Sequence, residues 1–330
     1  MRRAVLVCIA LSASLATSHA AEWRVQQVNS PARVTAIETV DGKTQVDAGG
    51  LWYALAIDGK RAQLDYIDRV PKPKLPGGAL PDGRVAIGTR DIARAWLAEP
   101  TARYDHGILG DKIEAGSLVI EMRDGKRQAV RLKDDAVFED LQPRLADLDG
   151  SGHDSIIVVK SSLKRGSSLA VIAERKGKYE IVAETPPLGG PHRWLNPAGI
   201  ADFNGDGKID IALVRQPHVV GELELWAWRA GDLRKTAGIA DTANHVAGTR
   251  AINMSATADF DGNGIADLAI PSLDRSRLRL ISFAPTAHDI ANVALPQKAV
   301  TNFGLVEIEG GPPAVAVGLA DGSLVIVRRD

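Results

Sequence analysis

Apolar residues along the chain fall in short runs separated by Gly, Asp, Asn and Pro. Between Pro197 and Ile239 the runs read PAGIA, IDIALV, ELELWAWR and DLRKTAGI; between Ser155 and Thr185 they read SIIVVKS, SSLAVIAER and KYEIVAET. Each alternates apolar with polar residues or is a compact β-branched stretch, and none sustains a helical period, so each predicts a strand. The runs also repeat. ADLDGSGHDSIIVV from Ala146, ADFNGDGKIDIALV from Ala201 and ADFDGNGIADLAIP from Ala258 align on Asp147, Asp202 and Asp259, at steps of 55 and 57 residues (202 − 147 and 259 − 202).

Four short strands per repeat predict an all-β chain, a β-propeller of six, or possible seven, four-stranded antiparallel blades. Units are expected at residues 33–67, at 84–132, at the three marked repeats and at the C-terminus, with 68–115 the hardest stretch to parse. The C-terminal PAVAVGLADGSLVIVRRD looks like strands two and three of a blade. EWRVQQV, near the N-terminus, is expected to supply the fourth strand and close the ring, which removes exposed sheet edges. A solenoid of β-sheets is the competing architecture.

The repeated loop carries chemistry. In the second copy Asp202, Asn204, Asp206 and Asp210 stand at positions 1, 3, 5 and 9, Lys208 offers its carbonyl at position 7, and Gly205 and Gly207 let the chain coil. Alternate oxygens in a tight loop suit a hard divalent cation, which takes about six to eight of them, and calcium is the expected occupant. The third copy repeats the set with Asp259, Asp261, Asn263, the Ile265 carbonyl and Asp267. The first keeps Asp147 and Asp149 but has Ser151 and Ser155 at positions 5 and 9, with Asp154 displaced by one, so weak binding or none is expected. Leu213 and Ile270 stand where an EF-hand needs a bidentate glutamate, and the flanks read as strands, which rules that motif out. A turn that needs no metal is the bland alternative, since Asp, Asn and Gly build turns anyway.

The loop pattern resembles the FG-GAP/VCBS repeat family, whose calcium-loop propellers include the head of integrin alpha subunits. The resemblance covers 202–210 and 259–267 well and 147–155 imperfectly. It implies a propeller and calcium, and it leaves function open among adhesion, scaffolding and catalysis.

If the cation loop joins strands one and two, the loops joining strands two and three, and blade to blade, lie on the opposite face. Those loops carry His218, Arg275, Lys164 and Arg165, then His192, Arg193 and Trp194 in PHRW, Asn244 and His245 in ANHVAG, and Arg103, Tyr104, His106, Asp111 and Glu114 in PTARYDHGILGDKIEAG. Loops of one face converge on a propeller's axis. The set therefore predicts a site for an anionic or polyhydroxylated ligand, with guanidinium forks for carboxylates or sulfates and Trp194 and Tyr104 for stacking. Other readings stay open: a transition metal on His192, His218 and His245; proton abstraction from a uronic acid with Tyr104 or His106 as base and Arg103 or Arg193 neutralising the carboxylate; or merely solvated loop residues, with pairs such as Asp274 and Arg275 pinning neighbouring blades. GxSxG, HExxH and a phosphate-binding glycine loop are absent from the sequence. Trp226 and Trp228, two apart on one strand, point to the same side and are expected to pack between blades.

The first 20 residues, MRRAVLVCIALSASLATSHA, read as a removed export signal, leaving 21–330 as a single propeller domain. Cys8, the only cysteine, lies inside that signal after Val7, unlike a lipoprotein processing site. The mature chain is thus expected to be exported without disulfides, and PKPKLPGG at 71–78 to be its most flexible interruption. The formal charge of −1 becomes more acidic once Arg2 and Arg3 are gone, so there is no basic excess for nucleic acid. No segment has the apolar length of a membrane span. The sequence reading is a periplasmic or secreted, calcium-stabilised binding or scaffold module for a protein or carbohydrate ligand; the alternative is a polysaccharide-directed lyase or hydrolase.

Overall fold

Each run read as a strand between 155 and 239 is one, in Ser155–Ser162, Gly166–Arg175, Lys178–Glu184, Leu195–Ala201, Asp210–Arg215, Glu222–Arg229 and Asp232–Ile239. The computed structural model describes residues 22–69, 74–229 and 231–329. The export signal with Cys8, and part of PKPKLPGG, lie outside the described residues.

The chain is all-β. Four sheets have four antiparallel strands each, at 34–66, 195–239, 256–294 and 304–329, the last completed by Trp23–Val28. That N-terminal strand pairs antiparallel with Leu324–Arg329, Trp23 opposite Arg329 and Val28 opposite Leu324, so EWRVQQV supplies the fourth strand. A nine-stranded sheet holds the rest. It is two four-stranded groups, 86–131 and 144–184, stitched together by Ala136–Phe138, which pairs with Ser155–Ser162 on one side and meets Ala115 on the other.

Strands that read as continuous apolar runs do so because both faces are buried. Ile211 and Leu213 join a cluster with Ile157, Val159 and Val171 of the preceding sheet, whereas Ala212 and Val214 join one with Leu268 and Ile270 of the following sheet. Successive side chains of a strand point to opposite faces, so each strand feeds two interfaces. Each fully buried Ile or Leu contributes on the order of 2 kcal/mol. Similar clusters join 86–131 to 144–184, 256–294 to 304–329, and 304–329 to 34–66. Among the described residues no such cluster joins 34–66 to 86–131. Trp226 is buried and Trp228 packs beside it in the cluster shared with the 144–184 strands, the inter-sheet use expected of the pair.

The second residue of each repeated loop is an apolar plug. Leu148, Phe203 and Phe260 are all buried, and they pin the loops to three different clusters.

Candidate functional sites on two faces

In the second and third loops, both glycine positions have left-handed backbone, with φ of +74° and +78° at Gly205 and Gly207 and +85° and +83° at Gly262 and Gly264. Only glycine takes this without strain, and it turns the amides inward. In the third loop Asp259 accepts from the amides of Gly262, Asn263 and Gly264 at 2.7, 3.1 and 2.8 Å, and Asn263 Oδ1 accepts from Ile265 N at 2.7 Å. One oxygen from each of Asp259, Asp261 and Asp267 lies within 4.8 Å of the others. Asp267 is fully buried; one of its oxygens accepts from Phe260 N at 2.9 Å, and Oδ1 has no hydrogen-bond partner among the described residues. Burial raises its pKa to about 6.

The second loop has the same backbone. Asp202 accepts from Gly205, Asp206 and Gly207, and Lys208 N donates to Asp206 at 3.0 Å. Asn204 Oδ1 accepts from Asp206 N at 2.9 Å. A difference lies in the cation already present. The Arg229 guanidinium pairs with Asp206 and stands 3.8 Å from Asp210, whose buried oxygens have no hydrogen-bond partner. Asp210 is likewise pushed up to about 6 by burial, an effect Arg229 partly offsets. The two loops touch, since a Cβ on Gly205 would lie 2.7 Å from Ile265 Cδ1.

In the first loop Asp147 and Asp149 cap Ser151, and Asp147 also takes Gly152. The displaced Asp154 turns away to Arg90 at 2.9 Å, and its amide donates to Asp91. This copy ties the 144–184 strands to the 86–131 strands instead of gathering carboxylates.

The opposite-face residues divide into two groups. His106, Tyr104 and His192 form one cluster, with ring centroids 5.1 to 5.8 Å apart, and His192 N donates to Tyr104 Oη at 2.7 Å. Trp194, His218 and His245 form another, with Trp194 stacked on His218 at 6.2 Å. His245 Nε2 sits 3.0 Å from the Thr249 carbonyl, so it carries the proton; His218 Nε2 must then donate to His245 Nδ1 at 3.0 Å. Burial lowers the two imidazoles to about 3 and about 4. The buried Glu139 joins the groups: its Oε1 lies 2.5 Å from His106 Nδ1 and its carbonyl accepts from the Trp194 indole at 3.1 Å. Glu139, Ser161 and Ser167 form a further buried network behind His106.

Several expected site residues face elsewhere. Arg103 donates to the Ala136 carbonyl and pairs with Asp134, and Arg193 donates to the Leu188 carbonyl, so both clasp backbone. Trp194 and Tyr104 are each 3% exposed, too buried for face-on stacking with a sugar. His192 pairs with Asp105 instead of joining His218 and His245, so the three imidazoles do not gather. Arg275 has left-handed backbone at φ +63° and a buried, unpartnered Nε; its charge helps lower His218. Glu114 is buried and pushed up to about 10 by burial and then by Glu139, while Asp111 binds Arg250 at 3.1 Å. Sequence reasoning missed Glu139. It lies in a linker with no motif, and only its contacts with His106 and Ser161 reveal it.

A family model described as FG-GAP-like repeat matches residues 202–270. Residues 202–270 are FG-GAP-like. The FG-GAP-like segment runs from the first carboxylate of the second loop to the strand that leaves the third, and the fold around it is β-propeller-like. No curated protein matches the sequence. Among solved structures, the chain is similar to the Photorhabdus luminescens Tc holotoxin pore at 15% identity and a TM-score of 0.42, over 94% of this chain and 14% of that one. It is similar to a Bacillus licheniformis rhamnogalacturonan lyase at 14% identity and a TM-score of 0.46, over 90% of this chain and 66% of that one. Rhamnogalacturonan lyase YesW matches at 14% identity and a TM-score of 0.43, over 90% of this chain and 60% of the other. The chain thus spans less than two thirds of each.

Proposed function

We propose that this is an exported, calcium-stabilised β-propeller of six blades, closed by its N-terminal strand, that acts as a binding or scaffold module through the face opposite the carboxylate loops. The observation that carries the reading is a pair of aromatic clusters, Tyr104–His106–His192 and Trp194–His218–His245, drawn from four separate connections and linked through Glu139, whose carboxylate meets His106 and whose backbone carbonyl meets Trp194. Contacts between residues so far apart in sequence support a convergence of loops on one face. Asp259, Asp261, Asn263 and Asp267, with the Ile265 carbonyl, would hold calcium, and the unpartnered buried oxygen of Asp267 fits a cation. Asp202, Asn204, Asp206, the Lys208 carbonyl and Asp210 would form a second site in competition with Arg229. The loop without Arg229 is the stronger candidate. No helix among the described residues is long and apolar enough to cross a membrane. The ligand is a protein or a carbohydrate, and the location periplasmic or secreted. A thermal melt of residues 21–330 with calcium, then with chelator, tests the metal half; absence of a calcium shift overturns it. A screen against glycans and candidate proteins, repeated with His218→Ala, tests the ligand face.

His106 favours a second reading, a polysaccharide-directed enzyme. A buried carboxylate on Nδ1 fixes the ring and leaves Nε2 as the proton acceptor, an arrangement general bases use. Tyr104 is less suited to that role because burial raises its pKa, keeping the phenol protonated. An enzyme would lose turnover abruptly on His106→Ala, whereas a binding module would weaken by degrees.

A further inference from the structure

The connection that carries His245, whose Nε2 meets the Thr249 carbonyl, also lines a cleft of about 610 Å³ through Thr249 and Arg250, with Thr35, Arg84 and Asn302 among its other walls. A second cavity of about 300 Å³ shares Ile37, Glu38, Arg84 and Asn302 with it and adds Gln142 and Asn253. Both volumes fall in or near the range of small-molecule sites, about 300–1,000 Å³. Arg84 stands in both walls. Its backbone amide is held by the Leu141 carbonyl at 2.7 Å, which fixes where the side chain begins.

Among the described residues, the other charged side chains around the cleft have ion-pair partners. Arg69 pairs with Glu38, Arg144 with Asp140 at 2.8 Å, and Arg250 with Asp82 and Asp111 at 2.9 and 3.1 Å. Arg84 forms no ion pair among the described residues. Of its five N–H donors, one reaches an acceptor among the described residues, the Arg250 carbonyl at 3.3 Å. Burial lowers its pKa, with the Glu38, Asp140 and Asp82 carboxylates opposing that shift and Arg144 adding to it. Beside it, the side-chain amides of Gln142 and Asn253 and the Nδ2 of Asn302 make no hydrogen bond among the described residues. Asn302 is held in place because its Oδ1 accepts from Asn253 N at 2.9 Å. The buried Ile37 and Phe303 back the inner cavity.

We propose that this cleft binds a carboxylate-bearing polyhydroxylated ligand of the uronate class, with Arg84 taking the carboxylate through its planar fork and the Gln142, Asn253 and Asn302 amides taking hydroxyls. The proposal rests on the reading that this face is the ligand face. A guanidinium matches a carboxylate in a bidentate way that an ammonium cannot. Primary amides offer donor and acceptor together, which suits hydroxyls. The Glu38 carboxylate does not forbid an anion, because Arg69 already pairs with it.

The test is titration calorimetry of residues 21–330 with digalacturonate, its neutral galactose counterpart and inorganic sulfate. Wild type should bind digalacturonate at least about tenfold more tightly than either other probe, and Arg84→Gln should lose at least about tenfold, since a charge-assisted hydrogen bond is removed. Arg84→Lys should recover only part of that loss. Equal binding of the neutral sugar overturns the role of Arg84, and equal binding of sulfate overturns the role of the amides. Should Arg84→Gln fail to fold, Asn253→Ala and Gln142→Ala carry the test, and unchanged affinity in both overturns it. Loss of binding in His218→Ala but not in folded Arg84→Gln would sink the cleft while the ligand face stands. No digalacturonate binding to wild type overturns the cleft and leaves the face to be judged by its protein partners.

Discussion

The second and third loops share spacing, glycine conformation and an apolar plug, yet they differ in what neutralises their carboxylates. Among the described residues, Asp259, Asp261 and Asp267 converge with no basic side chain paired to them, while Arg229 reaches from the third strand of its own sheet to Asp206 and stands near Asp210. The first loop goes further, giving its displaced acid to Arg90 of the neighbouring strands. The lesson is that a cation loop is defined by its neighbours as much as by its own residues. A buried carboxylate needs a positive charge, and an arginine and a metal ion are alternative ways to supply it.

The largest expected effect breaks the third loop. Asp267→Asn should erase most of the calcium-dependent stabilisation, about 3 to 4 kcal/mol at hundred- to thousand-fold excess over Kd, and leave the chelated protein near wild type. Thermal melts in calcium and in chelator read this directly; equal losses in both would mean a metal-free turn. Arg90→Ala should cost about 2 kcal/mol irrespective of calcium, because Asp154 is 2% exposed and loses its partner while Arg90 itself is 46% exposed. A calcium-dependent loss there would show that the first loop binds metal after all.

A comparable effect belongs to the other face and to pH. His245 has a folded pKa of about 3 against an ordinary 6.5, so the unfolded chain binds more protons between those values. Stability is whole above about pH 6.5 and falls as pH drops toward 3, by about 2 kcal/mol at pH 5. Urea titrations across that window should show the fall, and His245→Leu should flatten it; an unchanged slope would place the effect elsewhere. The smallest effect sharpens the loop comparison. Arg229→Leu should cost the chelated protein about 1 kcal/mol and enlarge the calcium response, since Asp206 is freed. An unchanged response would mean that Arg229 is not what limits the second loop.

Much of the fold was legible. The strands at 155–239, the three loops and the N-terminal strand that completes the last sheet follow from periodicity and repetition, which are local. The region from 68 to 115 was hard to parse because its strand Ile92–Thr101 leads into the connection holding Tyr104 and His106, which carries contacts to distant loops instead of a short turn. At the candidate site, strand order grouped residues by connection but not by partner. Arg103 and Arg193 looked like ligand-binding cations and serve backbone carbonyls. Glu139 and Arg84 look like ordinary linker residues and become, respectively, the buried carboxylate behind His106 and a cleft guanidinium with no ion pair among the described residues.

The sequence by itself determined the all-β repeat, because strand pattern, turn glycines and alternating carboxylates act within a few residues of one another. Tertiary structure alone decided which carboxylates stay together and which charges stay unpaired. Those outcomes depend on side chains brought within a few ångströms from separate sheets, where burial makes each unmatched charge costly, and one chain read in order gives no measure of that distance.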